Sequence, residues 1–353
     1  MKRKIIAASL LVLLIFSTTV VGAETININL KKAVNMALEN NLKLQEAKIG
    51  LEKSKLEYKK NMANNLTTQS DYNELNAKYQ LKNAEISYKN TYDSLIKNIV
   101  KQYNNLVLSK YNLEVLSKRK ELENKLLEES KAKYEIGDIG NISLLEQKNK
   151  YQDSRYNYRS AKDNYEQSLR EFKTTLGIGR SNELKFKGLS DLEIWEVNED
   201  EVVDKTIANS LSLELKEMNF KLAKLDKKRT EISASKIDRE IAAKTVEKAN
   251  VSKERTKSEL ENSSVLAYHD YQQSIEEMKL KKNDFEKAKK DYILKKEQYN
   301  EGLLTESELL NYKINKMQAE HDYLSALVNH YNKLISLKQK MNIELEVVND
   351  GSK

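Results

Sequence analysis

Tyr88, Tyr92, Leu95, Ile99, Tyr103 and Leu106 recur at steps of four, three, four, four and three residues, which places them on one face of an α-helix. Farther on, Tyr271, Ile275, Met278, Phe285, Ala288, Tyr292 and Tyr299 follow steps that close into heptads, so this helix packs along a seam against other helices. Aromatic residues at such spacings read as core packing rather than as a cofactor site. In the first half the pattern predicts helices over about 30–60, 69–133 and 142–176. At about 1.5 Å per residue the middle one is about 100 Å long, too long for a compact bundle of one chain. The pattern lapses in GIGRSNELKFKGLSDLEIWEV, where Leu184 and Phe186 alternate with polar residues. This stretch reads as a short non-helical connector lying on the bundle, with Trp195 as its apolar anchor.

The pattern also repeats. Tyr134, Gly137, Leu144 and Leu145 align with Tyr299, Gly302, Leu309 and Leu310 at an offset of 165 residues, and the register continues through Tyr158 and Tyr323, Asn164 and Asn329, and Leu169 and Leu334. Nearer the front, Leu38, Asn40, Leu42 and Leu44 match Ile207, Asn209, Leu211 and Leu213 at an offset of 169. The chain therefore reads as a duplication, with halves over 24–190 and 191–346 and a tail over 347–353. Each half is helix, turn, very long helix, glycine turn, helix. The expected fold class is all-α: long antiparallel helical hairpins of coiled-coil type in a two-fold internal repeat.

Composition supports very long helices. The 353 residues include no proline and only 9 glycines, and proline inside a helix removes a donor and clashes with the preceding turn. Gly137, Gly140, Gly177, Gly179, Gly188 and Gly302 fall where the pattern itself breaks. The segment 1–23, MKRKIIAASLLVLLIFSTTVVGA, joins a basic start to a short apolar run and a small-residue site. It reads as a secretory signal with cleavage after Ala23, and leaves an uncleaved anchor open. The formal charge of +7 includes three cations of this segment. Beyond it lysines and glutamates are interspersed as on a solvated helix face, without the basic stripe that nucleic acid would require. With no cysteine there is no disulfide, thiolate metal site or lipid-modified cysteine.

Catalytic chemistry is not visible. His269, His321 and His330 lie on predicted helices without companions at metal spacing, and Asp270 and Asp322 adjoin two of them without sharing a face. His330 aligns with Tyr165, which favours packing. No phosphate loop, nucleophile elbow or HExxH stands in the chain. The expectation is a protein that is not an enzyme and needs no cofactor or metal.

The opening INLKKAVNMALENNLKLQEAK supplies Leu30, Ala33, Ala37, Leu38, Asn41 and Leu44 in the order of an AxxxALxxNxxL motif. Two breaks then pair an aromatic residue and glycine with a later leucine pair: Tyr134, Gly137, Gly140, Leu144 and Leu145, and Tyr299, Gly302, Thr305, Leu309 and Leu310. Together with the duplication, these resemble the TolC family of outer-membrane efflux proteins over roughly 24–343. The resemblance implies a homotrimer whose hairpins form a hollow α-barrel of twelve helices. It also implies glycine turns that dock an adaptor protein serving a transporter in the inner or cytoplasmic membrane. On that carry-over the two tips, with Asp138 and Glu308, form the partner-binding surface. Glu308 stands where an aspartate is usual, Asn311 where a second acid is common, and Ser143 is the uncharged counterpart of Glu308, so an acidic entrance ring is weakened.

The family inserts membrane strands between the first helix and the long one. Here those places hold only NMANNLTTQSD (61–71) and TEISASKIDRE (230–240), and a strand that spans a membrane needs about 9 to 11 residues with alternating apolar positions. Tight helix-to-helix turns without a β-barrel are expected. The implied function is an exported efflux duct component, in the outer membrane or periplasm of a two-membrane cell and on the extracytoplasmic surface otherwise, for small molecules or proteins. A structural coiled-coil protein of the cell envelope is the alternative, and membrane association stays open.

Overall fold

The computed structural model describes residues 25–189 and 194–343; the leading segment 1–23 and the tail 347–353 lie outside them. The first half runs β1 (Thr25–Ile28), α1 (Leu30–Asn40), α2 (Leu42–Thr68), α3 (Asp71–Glu135), α4 (Asn141–Leu176) and β2 (Glu183–Phe186). The second runs α5 (Glu199–Ala208), α6 (Leu211–Ser233), α7 (Lys236–Asn300) and α8 (Glu306–Lys340). Helices α3 and α7 both have 65 residues, and the 165-residue offset carries both ends of one onto the other. The offset changes from 169 to 165 within a single element, since α2 has 27 residues and α6 has 23, a difference of about one helical turn.

The fold is all-α apart from β1 and β2, which pair in parallel with Ile28 opposite Phe186. The long helices form one layer. Toward the glycine turns its order is α4, α3, α8, α7, and toward the opposite, blunt end it is α2, α3, α6, α7. Halfway along, a collar of short elements wraps the layer. In the first half Ile28, Ala33, Val34 and Ala37 pack with Ile96, Ile99, Val100 and Tyr103 of α3 and with Phe172 and Leu176 of α4. Tyr103, the central residue of α3, donates from its hydroxyl to the carbonyl of Lys187 at 2.5 Å. In the second half Val202 packs with Tyr271, Ile275, Leu334, Leu337 and Met341.

One amide ties each half shut at this waist. Asn40 Nδ2 donates to Leu176 O (2.9 Å), and its counterpart Asn209 Nδ2 donates to Met341 O (3.1 Å). The return helices end alike, with Gly177 (φ +69°) and Asn342 (φ +53°) both left-handed, a backbone state that glycine and asparagine tolerate best.

Two expectations need correction. The helix expected over 30–60 is divided at Asn41, whose side chain accepts the Leu44 N–H (2.9 Å) and starts α2 as an N-cap. It also continues to Thr68, because nothing in 61–68 breaks a helix. There buried Asn65 shapes the reversal, accepting the Ser70 N–H and donating to Ser70 O, both at 3.0 Å. The connector is non-helical as expected, and Leu184 lies in β2 and is buried, its strand held by the unforeseen partner β1. The blunt reversals are as tight as expected. Only Gln69 and Ser70 separate α2 from α3, and only Ala234 and Ser235 separate α6 from α7.

Candidate functional site at the hairpin tips

Both glycine turns close in the same way. After α3, Gly137 (φ +80°) donates its N–H to Tyr134 O (3.0 Å) and Asp138 donates to Lys133 O (2.9 Å). After α7, Gly302 (φ +78°) donates to Tyr299 O (3.0 Å) and Leu303 to Gln298 O (2.9 Å). Each pair of bonds is a Schellman motif, which satisfies carbonyls that a helix end leaves open and requires a left-handed residue. Tyr134 and Tyr299 thus serve the turns through their backbones, while their rings stay partly exposed.

The helices restart differently. Gly140 precedes α4 with no side-chain cap. Thr305 opens α8 with a capping box: its hydroxyl accepts the Glu308 N–H (3.2 Å), and Glu308 Oε2 accepts the Thr305 N–H (2.8 Å). That N–H holds the Glu308 carboxyl below the usual carboxylate range. The carboxylate that the resemblance assigns to the entrance ring is therefore already engaged with its own helix terminus.

Packing separates the two tips further. Leu310, Ile314, Val115 and Leu122 form a core between α8 and α3. Around it Ser307 donates to Glu129 (2.5 Å), Tyr111 donates to Glu320 (2.7 Å), and Lys125 pairs with Glu306. Among the described residues helix α4 has no such neighbour on its far side, so Leu310 is 8% exposed and its counterpart Leu145 is 52% exposed. Leu144 and Leu309 are half-buried, and Gly137, Asp138, Gly140, Gly302, Thr305 and Glu308 are exposed.

Sequence reasoning passed over Ile136, Ile142 and Leu303, which are among the most exposed large apolar side chains of the molecule. The signal lay beside the glycines. Ile136-Gly137-Asp138 and Glu301-Gly302-Leu303 each flank the glycine with one apolar and one acidic residue, in opposite order.

The histidines do not converge. His269 approaches Glu199 of α5 at 3.3 Å, His321 lies beside Asp322, and His330 is buried. Among the described residues no three His, Cys, Asp or Glu side chains come together as metal ligands. No described helix is long and apolar enough to cross a membrane.

No family model and no curated protein matches the sequence. Solved structures do match. The CmeC outer membrane channel of Campylobacter jejuni superposes with a TM-score of 0.65 at 14% identity, over 88% of this chain and 85% of CmeC. The outer-membrane channel OprN gives 0.66 at 12%, over 89% and 90%. The outer membrane protein VceC of Vibrio cholerae gives 0.61 at 10%, over 90% and 97%. The fold is TolC-like.

Proposed function

We propose that the chain is a protomer of an exported, passive efflux duct, a closed ring of three copies whose glycine tips dock an adaptor serving a membrane transporter. The observation that carries this reading is the open helical layer with an apolar stripe on each free edge. On α2, Leu42, Ile49 and Leu56 are exposed at heptad spacing. On α7, Leu266, Leu280 and Leu294 are exposed at multiples of seven, and heptad stripes mark helix seams. Counted from the blunt reversals, Leu66 stands near Ile237 and Ile241, Leu56 near Val251, and Leu42 near Leu266, all within about one helical turn. Edges that differ but match each other join head to tail, and such joints form a ring where the rotation between copies closes. Three four-helix layers supply the twelve helices of a TolC-like barrel. Transport energy comes from the partner, and the duct itself carries out no chemistry.

The decisive measurement is the mass of the chain lacking residues 1–23, by sedimentation over a wide concentration range. A threefold mass is expected, reduced to monomer by Ile49→Asp with Leu56→Asp while helicity is retained. A wild-type chain that stays monomeric at high concentration sinks the duct. The two-residue blunt reversals favour a second reading, a coiled-coil spacer of the cell envelope, because the described chain offers no more than those two residues between the helices there. Conductance across a planar bilayer separates the two, since a spacer gives none.

A further inference from the structure

We propose that His330 is an acid-operated release for the waist collar of the second half, freeing the Trp195 segment and α5 from α7 while the long hairpins remain folded. His330 is fully buried between α8 and α7. Its ring stacks on Tyr271 with centroids 5.2 Å apart. Nδ1 lies 3.0 Å from Ser274 Oγ, whose own proton is directed to Tyr271 O at 2.6 Å. Ser274 can then only accept from His330, so Nδ1 carries the imidazole proton and Nε2, buried without a partner, is unprotonated. A second proton at Nε2 would place a cation and an unpaired donor inside the core, and an unpaired buried charge is strongly destabilising.

Tyr271 links this site to the collar. Its hydroxyl accepts the Trp195 N–H and donates to Trp195 O, both at 2.9 Å. Its ring packs with Val202 of α5, Leu334, Leu337 and Met341. Moving Tyr271 off a charged His330 therefore breaks both hydrogen bonds that hold the collar. The repeat supplies the contrast. The first half carries Tyr165 and Leu106 at the places of His330 and Tyr271, neither of which titrates in weak acid, so the response is confined to one collar.

The charged groups around the site are otherwise occupied or exposed. On α7 and α8, Asp270 pairs with Lys333 at 2.7 Å and Glu277 accepts from Asn329 at 3.1 Å. Lys338 lies over the Trp195 ring at 5.4 Å. Burial lowers the Lys340 pKa. On the collar, Glu196 and Asp200 are exposed and Glu199 meets His269. On α3, Lys97 and Lys101 at this level are exposed. Burial lowers the His330 pKa from that of free imidazole. The unfolded or released state therefore binds more protons, and collar docking is lost as pH falls below about 6.5 toward the lower folded value.

Trp195 is the only tryptophan and so reports the release directly. Its emission, with far-ultraviolet circular dichroism recorded alongside, should be followed from pH 7.5 to 4.5 on the chain lacking residues 1–23. We expect a red shift with a midpoint below 6.5 at unchanged helicity, retained in His269→Asn and abolished in His330→Tyr, the residue the repeat itself uses, and in His330→Phe. Should both His330 variants misfold, amide exchange of the wild type decides. Exchange over residues 195–209, corrected for intrinsic rates, should accelerate on acidification relative to α3. No red shift, an equal shift in the folded variants, or uniform exchange overturns the proposal.

Discussion

Gly177 and Gly137 hold the same left-handed backbone state, yet a methyl group would meet very different surroundings. At Gly177 a Cβ would stand 2.7 Å from Cβ of Asn40, whereas at Gly137 nothing lies within 4 Å. Left-handed backbone costs a residue other than glycine about 1 to 2 kcal/mol. Gly137→Ala should therefore lose about 1 kcal/mol. Gly177→Ala should lose about 3 kcal/mol, because it also displaces the amide that holds Leu176. Urea unfolding midpoints of the two variants test this, and equal shifts would remove the crowding argument. The pairing of Asn40 with Asn209 was visible in the sequence. Its purpose was not, because each amide binds a carbonyl more than 130 residues away, and spacing along a chain carries no trace of such a contact.

At the scale of the element, the start of α8 is held by apolar packing more than by charge. The Lys125–Glu306 pair has a largely exposed glutamate, and solvent screening leaves pairs of that kind little net stabilisation. Leu310 is buried among Val115, Leu122 and Ile314, and truncating such a leucine costs about 2 to 5 kcal/mol. Lys125→Ala should leave thermal stability nearly unchanged, while Leu310→Ala should lower it clearly and expose the α3–α8 seam near the tip to proteolysis. A larger effect from Lys125 would reverse this ranking.

The same contrast explains what the sequence could reveal. Helices α3 and α7 were legible because 65 residues without proline carry an apolar period that nothing contradicts. The Schellman turns were legible because left-handed backbone selects glycine. Strand β1 was not: four residues hold too few alternations to stand out, and its partner lies 158 positions on. The unequal burial of Leu145 and Leu310 was equally hidden, since the motif around them is the same and only the packing of α3 on α8 separates them.

For the whole molecule, the waist gathers both ends of the described chain. Thr25 begins β1, which docks beside Tyr103 at the centre of α3, and Ile343 packs with the cluster around Tyr271. The midpoint of a 65-residue helix is about 50 Å from either end. A compact fluorescent protein fused ahead of Thr25 should therefore leave the number of copies in the proposed assembly, and access to the tips, unchanged. The same fusion inserted between Gly137 and Asp138 should abolish partner capture. Equal interference from both positions would mean that the tips are not the docking surface. Thr25 and Ile343 thus provide a handle at mid-height: a leash attached there would hold the rod by its balance point, leaving both ends free to reach toward different surfaces.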